Sequence, residues 1–176
     1  MEVKATALEG VLIVEPKVFR DERGFFCEVY HAARYAEAGI EAVFVQDNHT
    51  RSRRGVLRGL HAQRRHPQAK LVRASAGVIF DVAVDIRPSS STYRRWVGVE
   101  LSAENFRQLF IPPGYAHGFC ALSDIVEVQY KCAALYDPTD ELAIRWDDPE
   151  IGIEWPISTP QLSERDARAP RLHELE

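Results

Sequence analysis

The amino-acid sequence predicts an all-β protein, arranged as a sandwich or barrel with a few short helices. Nine short runs rich in β-branched and aromatic residues follow one another at close spacing, and Gly, Pro, Ser and Asp separate them. Eight or more strands spaced in this way are typical of β-sandwiches and barrels. With 176 residues, 45% of them hydrophobic, the chain can form one domain, residues 1–176, with a core and a ligand cavity.

The predicted strands are apolar or alternating runs that end at turn residues. In chain order they span 10–15, 42–46, 55–63, 70–74, 78–86, 96–101, 108–111, 118–122 and 126–132. One face of the strand 78–86 is wholly apolar, whereas the opposite face also carries Asp81 and Asp85. In the strand 126–132, Tyr130 shares a face with apolar residues, so its ring is predicted to point inward.

Helical signal is confined to three short segments. These are 31–38, 102–106 and a turn after Ser163, where a serine followed by acidic residues resembles the start of a capping box. The proline-containing tail from Trp155 is predicted to wrap around the barrel as an ordered segment and not to form a second domain.

Positive charge is concentrated in one part of an acidic chain. The net charge is -4, yet eight basic residues and no acidic ones lie between positions 51 and 73. They are Arg51, Arg53, Arg54, Arg58, Arg64, Arg65, Lys70 and Arg73. The net negative charge of the chain argues against general binding to nucleic acid or anionic membranes. The basic cluster is therefore predicted to bind a small anion locally. Apart from Arg58 and Lys70, most of these side chains are predicted to be solvated surface.

The three cysteines and the amino terminus indicate a soluble, cytoplasmic protein. Cys27, Cys120 and Cys132 lie far apart and form no C-x-x-C pair, which predicts reduced, buried thiols. The first ten residues lack a signal-peptide pattern, and no apolar run approaches the roughly 18 residues that a membrane-spanning helix needs.

The run 55–63 places an arginine and a histidine close together. Strict strand alternation would put Arg58 and His61 on opposite faces. Gly59 lies between them, and glycine permits a bulge that could turn both side chains toward one pocket. We predict such a bulge at Gly59.

The segment 111–119 indicates a cupin-like double-stranded β-helix, or jelly-roll barrel. Its Pro-x-Gly-x-x-His pattern, Pro112 to His117, is typical of the later half of cupin barrels, where a tight turn precedes an inward histidine. Metal-binding cupins carry His-x-His and a glutamate in the earlier half. Here the matching residues are His61, Ala62 and Gln63, so no metal is predicted.

Together, these motifs resemble the dTDP-4-dehydrorhamnose 3,5-epimerase family of nucleotide-sugar epimerases. The resemblance extends from Val14 to Pro170. It depends on the ordered set 19–28, 46–48, 55–63 with Lys70, 80–87, 101–105, 112–119, 130–131, 136–138, 144–146 and 162–166. It implies a homodimer that uses no metal or other cofactor and inverts carbons C3 and C5, which flank the 4-keto group of a dTDP-4-keto-6-deoxyhexose.

The resemblance also implies four catalytic roles. His61 matches the base, with a reference pKa for histidine of about 6.5 that suits proton abstraction near neutral pH. Asp166 matches the carboxylate that orients this histidine. Lys70 matches the group that stabilises the enolate oxygen, and Tyr130 matches the proton donor on the opposite ring face.

Eleven further positions match substrate-binding residues of the family. The diphosphate is expected at Arg23, Arg58 and His117, and the polar edges of the nucleotide at Glu28, Gln46, Asp47 and Asn48. Phe26 and Tyr136 offer stacking faces, and Glu141 and Arg165 complete the set. Ala62 stands where the family has an aromatic residue, which predicts a roomier sugar pocket, and Arg165 replaces a lysine.

Three alternatives remain open at this point. A single-position epimerase would act at C3 or C5 only. A metal-dependent cupin isomerase or dioxygenase would need ligands that the segment 61–63 lacks. A non-catalytic binding barrel would not depend on His61 or Tyr130.

Overall fold

The computed structural model describes residues 1–175 and contains thirteen strands and three short helices. The strands are β1 (Glu2–Ala5), β2 (Leu12–Glu15), β3 (Val18–Asp21), β4 (Gly24–Cys27), β5 (Gln46–Arg53), β6 (Leu57–Gln63), β7 (Lys70–Ala76), β8 (Val78–Asp85), β9 (Trp96–Ser102), β10 (Gln108–Ile111), β11 (Tyr115–Ala121), β12 (Ile125–Cys132) and β13 (Glu141–Ala143). The helices are α1 (Ala32–Glu37), α2 (Glu164–Ala167) and a 3₁₀-helix at Leu172–Leu175. No helix among these residues is long and apolar enough to cross a membrane.

Two antiparallel sheets face each other across the core. The six-stranded sheet has the order β1-β2-β10-β7-β12-β5, and the five-stranded sheet has the order β13-β6-β11-β8-β9. β3 and β4 form a separate hairpin. This arrangement confirms the prediction of an all-β, cupin-like jelly roll with a few short helices.

Apolar side chains from both sheets fill the space between them. Val72 and Val128 of the six-stranded sheet pack in one buried cluster with Ile79, Leu101 and Phe119 of the five-stranded sheet. Each such side chain contributes roughly 1.5–3 kcal/mol when it is fully buried. The core therefore holds the two sheets together, and Tyr130 packs at its edge as predicted.

The outer face of each sheet is covered by a different part of the chain. The carboxyl-terminal segment lies over the five-stranded sheet, where Ile144, Ile151 and Trp155 pack in a second cluster. Helix α1 lies over the six-stranded sheet. Its Tyr35 and the following Ile40 pack in a third buried cluster, together with Leu71 of β7. The predicted wrap of the tail is confirmed.

The predicted strand at 42–46 is wrong. Ala42 and Phe44 pack against the cluster beneath α1 without strand pairing, and β5 begins only at Gln46. β5 is a mostly polar run, but it forms eight residue pairs with β12. β5 was not predicted because a strand is recognised by the alternation of polar with apolar residues, and β5 has almost no apolar residues.

The predicted helix at 102–106 is also wrong, because a side chain satisfies the local backbone. The Asn105 Oδ1 accepts hydrogen bonds from the backbone N–H groups of Ser102, at 3.0 Å, and Arg107, at 2.9 Å. Such bonds offer the backbone an alternative to the helix. The segment is a turn, whereas the other two helical predictions, α1 and α2, are confirmed.

Candidate active site

A cavity of about 680 Å³ opens into the barrel between the two sheets and helix α2. Eleven of the fifteen predicted site residues line it. They are Gln46, Asn48, Arg58, His61, Lys70, His117, Tyr130, Tyr136, Glu141, Arg165 and Asp166. The fold thus brings together residues that are more than 100 positions apart in the sequence.

A bulge at Gly59 directs Arg58 and His61 into the same cavity, as predicted. His61 lies opposite His117 on β11, whereas Arg58 lies opposite Phe119, so β6 holds one extra residue between the two pairs. Gly59 has a φ of 122°, and an added Cβ would lie 2.5 Å from the Gly118 Cα. Only glycine fits this close approach.

His61 and Asp166 form a hydrogen-bonded pair. The His61 Nε2 lies 2.7 Å from the Asp166 Oδ1. Ser163 caps α2 by accepting a hydrogen bond from the Asp166 backbone N–H at 3.1 Å, which holds the aspartate in place. Burial raises the pKa of Asp166, but the hydrogen bonds that the carboxylate accepts from His61 and from the Gly59 N–H outweigh burial, so the net pKa is lowered. Asp166 therefore stays ionised and orients the imidazole.

Lys70 and Tyr130 present polar atoms to the cavity without competing partners. Among residues 1–175, neither the Lys70 Nζ nor the Tyr130 hydroxyl has a hydrogen-bond partner. Burial lowers the pKa of Lys70, against the opposing effects of Cys132, Glu141 and Asp81. Burial raises the pKa of Tyr130, so its hydroxyl keeps its proton at neutral pH. Both groups are free to bind a ligand.

A second His–Asp pair lies deeper in the barrel. The His117 Nε2 is 2.8 Å from the Asp81 Oδ1, and both side chains are buried. The other carboxylate oxygen of Asp81 is buried and has no partner among the described residues. The His117 ring lies 6.4 Å from the Tyr130 ring. Asp81 lies in the motif 80–87 of the family resemblance, which assigns it no role.

A chain of hydrogen bonds follows the rim of the cavity. Gln46 donates to the Asn48 Oδ1 at 3.0 Å and accepts from the Tyr136 backbone N–H at 2.9 Å. The Tyr136 hydroxyl donates to the Glu141 Oε2 at 2.9 Å, and Arg165 donates to the same oxygen. The rim therefore connects the residues expected at the nucleotide with those around His61.

Four predicted site residues lie outside this cavity. Arg23 pairs with Asp21, and Phe26, which is 67% exposed, lies with it on the β3–β4 hairpin. Glu28 pairs with Arg34, and Asp47 pairs with Lys131 on the outer face of the six-stranded sheet. Within one protomer these side chains do not meet His61.

Several lining residues were not predicted. They include Thr50, Gln63, Gln68, Cys132, Gln161 and Leu162. Alternation could have identified two of them, because Gln63 follows His61 by two residues and Cys132 follows Tyr130 by two. Ala62 borders the cavity, but it is 8% exposed and packs in the outer cluster with Leu60 and Ile144. A roomier sugar pocket at Ala62 stays a prediction.

The jelly-roll fold and this set of proton-transferring side chains define a cupin-type isomerase. Residues 5–174 match the family model described as dTDP-4-dehydrorhamnose 3,5-epimerase. The chain belongs to the dTDP-4-dehydrorhamnose 3,5-epimerase family, as its motifs predicted.

Known relatives resemble the chain over nearly its whole length. The dTDP-4-dehydrorhamnose 3,5-epimerase of Salmonella typhimurium is 56% identical over 175 residues, which cover 98% of this chain and 96% of the relative. A dTDP-4-dehydrorhamnose 3-epimerase of Streptomyces niveus is 41% identical, with 99% and 85% covered. The solved dTDP-6-deoxy-D-glucose-3,5-epimerase of Legionella pneumophila, in complex with dTDP-4-keto-L-rhamnose, has a TM-score of 0.97 at 49% identity, with 99% and 94% covered.

Proposed function

We propose that this chain epimerises C3 and C5 of dTDP-4-dehydro-6-deoxy-D-glucose to give dTDP-4-dehydro-L-rhamnose, and that it does so in the cytoplasm without a cofactor. The observation that carries this proposal is the His61–Asp166 pair, which shares a cavity with Lys70 and Tyr130 groups that have no hydrogen-bond partner among residues 1–175. A base, a cation and a proton donor are the groups that inversion beside a ketone requires.

Each inversion begins with proton abstraction. The His61 ring nitrogen that Asp166 does not bond takes a proton from carbon, and the electron pair of the C–H bond moves to the 4-keto oxygen. Lys70 stabilises the resulting enolate with its positive charge. Tyr130 then donates its proton to the opposite face of the carbon, and the tyrosinate recovers a proton from solvent while His61 releases one. The net change at that carbon is inversion.

Substrate binding uses the positive and polar groups around the chemistry. Arg58 at the rim and His117 inside supply donors for the two phosphates. Gln46 and Asn48 face the nucleotide, and Tyr136, which is 48% exposed, offers a stacking face. An anionic nucleotide sugar fits this distribution of charge.

Deuterium incorporation tests the double epimerisation. In D₂O, the enzyme should place label at both C3 and C5 of the 4-keto sugar, because each inversion exchanges one carbon-bound proton with solvent. NMR of the product, with a coupled reductase to trap its stereochemistry, measures both sites. A reaction without enzyme corrects for spontaneous exchange. Label at C3 alone would instead support the 3-epimerase activity that the name of the Streptomyces niveus relative states.

The proposed active form is a homodimer in which each β3–β4 hairpin reaches the cavity of its partner. The hairpin exposes Phe19, Phe25 and Phe26 by 52%, 60% and 67%, which is unusual for large apolar side chains unless they are covered by another molecule. Arg23, beside them, has a side chain that is 90% exposed. This arrangement would give Arg23, Phe26 and Glu28 the substrate-binding roles expected from the sequence.

Mixing two inactive variants tests this arrangement. Arg23→Gln and His61→Asn chains should each have low kcat/KM as separate homodimers. In a mixed dimer one cavity receives both changes and the other receives neither, so a 1:1 mixture should recover about a quarter of wild-type activity. Sedimentation equilibrium should give the mass of a dimer. If Arg23 serves its own chain, every cavity carries one change and no activity returns.

A further inference from the structure

The Nε2 of His61 has two polar neighbours of opposite charge. The Asp166 Oδ1 lies 2.7 Å away, and the Nη2 of Arg165 lies 3.0 Å away. A carboxylate next to an imidazole favours the protonated imidazolium, whereas a guanidinium disfavours it. Both cannot bond the same nitrogen in one protonation state, because a protonated Nε2 donates and Arg165 has only donors.

Arg165 is held at this place by a partner of its own. Its Nη1 donates to the Glu141 Oε2, and that oxygen also accepts a hydrogen bond from the Tyr136 hydroxyl at 2.9 Å. The Glu141 side chain is only 14% exposed, so it can hold the guanidinium of Arg165, whose side chain is 51% exposed. The Nε of Arg165 lies 3.6 Å from the Asp166 Oδ1. The position of the guanidinium is therefore built from β13 and α2 together.

We propose that Arg165, anchored by Glu141, is a positioning residue that opposes a second protonation of the His61 ring in the ligand-free enzyme. Asp166 accepts the Nε2 proton and fixes the ring, while the adjacent guanidinium opposes a second protonation at Nδ1. The lone pair on Nδ1 thus remains available for a carbon-bound proton. The proposal depends on the proposed function only in assigning His61 as the base.

The remaining charged groups near His61 do not supply this effect. From β11, His117 lies opposite His61 in the strand register, but it is already paired with Asp81. From β7 and β12, Lys70 and Tyr130 share the cavity, and no contact of either with the His61 ring is seen among residues 1–175. Arg58, on β6 itself, donates to the Ser52 hydroxyl at 3.1 Å. Within the described part of the chain, Arg165 is the cation in direct contact with the imidazole.

NMR titration of the His61 ring in the ligand-free protein tests the proposal. In Arg165→Gln, the midpoint at which His61 gains its proton should rise by roughly one pH unit relative to wild type, because a neutral amide replaces the cation. In Arg165→Lys the charge remains but the planar fork is lost, so the rise should be smaller. The His61 signals are assigned by their absence from His61→Asn.

A matched control uses Arg168, the residue that caps the carboxyl end of α2. Arg168 has a side chain that is 81% exposed and lies 4.0 Å from Glu164, so Arg168→Gln should leave the His61 titration unchanged. An unchanged or lower midpoint in Arg165→Gln would overturn the proposal. Because the titration needs no substrate, it tests the role of Arg165 even if the epimerase assay fails. If the His61 midpoint rises in Arg165→Gln as expected but the wild-type enzyme shows no epimerase activity, only the proposed function is refuted.

If the enzyme is active, the same shift should appear in its kinetics. The acidic limb of kcat/KM against pH, which reports the free enzyme, should move upward in Arg165→Gln by the amount measured by NMR. A simple loss of phosphate binding would raise KM at all pH values without moving that limb. An equal loss at every pH would therefore contradict the positioning role.

Discussion

Replacing His61 with asparagine should lower kcat about 10²- to 10⁴-fold, because the base that removes the carbon-bound proton is lost. The asparagine side chain ends short of the position of Nε2, so the 2.7 Å hydrogen bond between the imidazole and Asp166 is lost together with the base. The Kd for dTDP should change little, since the proposed nucleotide contacts lie elsewhere along the rim. Stopped assays and calorimetric titration measure the two quantities separately.

The matched control for this change is His49→Asn. His49 is on the outer face of β5, is 53% exposed and lies 3.2 Å from Glu127. Its replacement should leave both kcat and the Kd for dTDP unchanged. Substantial turnover in His61→Asn, or equal losses in the two variants, would exclude His61 as the base.

Much of the fold could be predicted because the signals are local. The strand 126–132 carries alternating apolar residues that place Tyr130 inward, and Ser163 predicts the amino-terminal cap of α2. A polar strand such as β5 carries no such signal, since its place is fixed by pairing with β12. Sequence patterns predict an element when its own residues encode its burial, and fail when a distant partner determines it.

The candidate site shows the same division. The residue types at His61, Lys70, Tyr130 and Asp166 could be assigned from motifs, and the bulge could be expected from Gly59. The contact of Arg165 with His61 could not, because it depends on how β13 and α2 meet over β6. Likewise, the pairing of His117 with Asp81 depends on the register of β8 against β11. Long-range register, which motifs do not encode, decides which groups modify a base.

Replacing Lys70 with methionine should have opposite effects on turnover and stability. Loss of the cation at the enolate oxygen should lower kcat about 10²- to 10³-fold. The same change should stabilise the fold by about 0.5–2 kcal/mol, because methionine has a similar length and brings no charge into this partly buried position. Activity assays and thermal denaturation of the same preparation measure both effects.

The control is Lys4→Met. Lys4 lies on the edge strand β1, its side chain is 45% exposed, and it pairs with Glu15. It should retain full activity and gain no stability.

The pH dependence of that stability difference identifies its cause. Burial lowers the pKa of Lys70 in the folded protein below its value in the unfolded chain. The unfolded chain therefore binds the proton more strongly, and the protonated lysine disfavours folding at neutral pH. As the pH rises toward the unfolded pKa, both states lose the proton and the penalty disappears. The stability advantage of Lys70→Met should thus be largest near pH 7 and should shrink toward pH 10. A stability advantage that stays constant with pH would point to better packing by methionine. An advantage that shrinks with rising pH would show that the active site keeps a partly buried cation at the expense of stability.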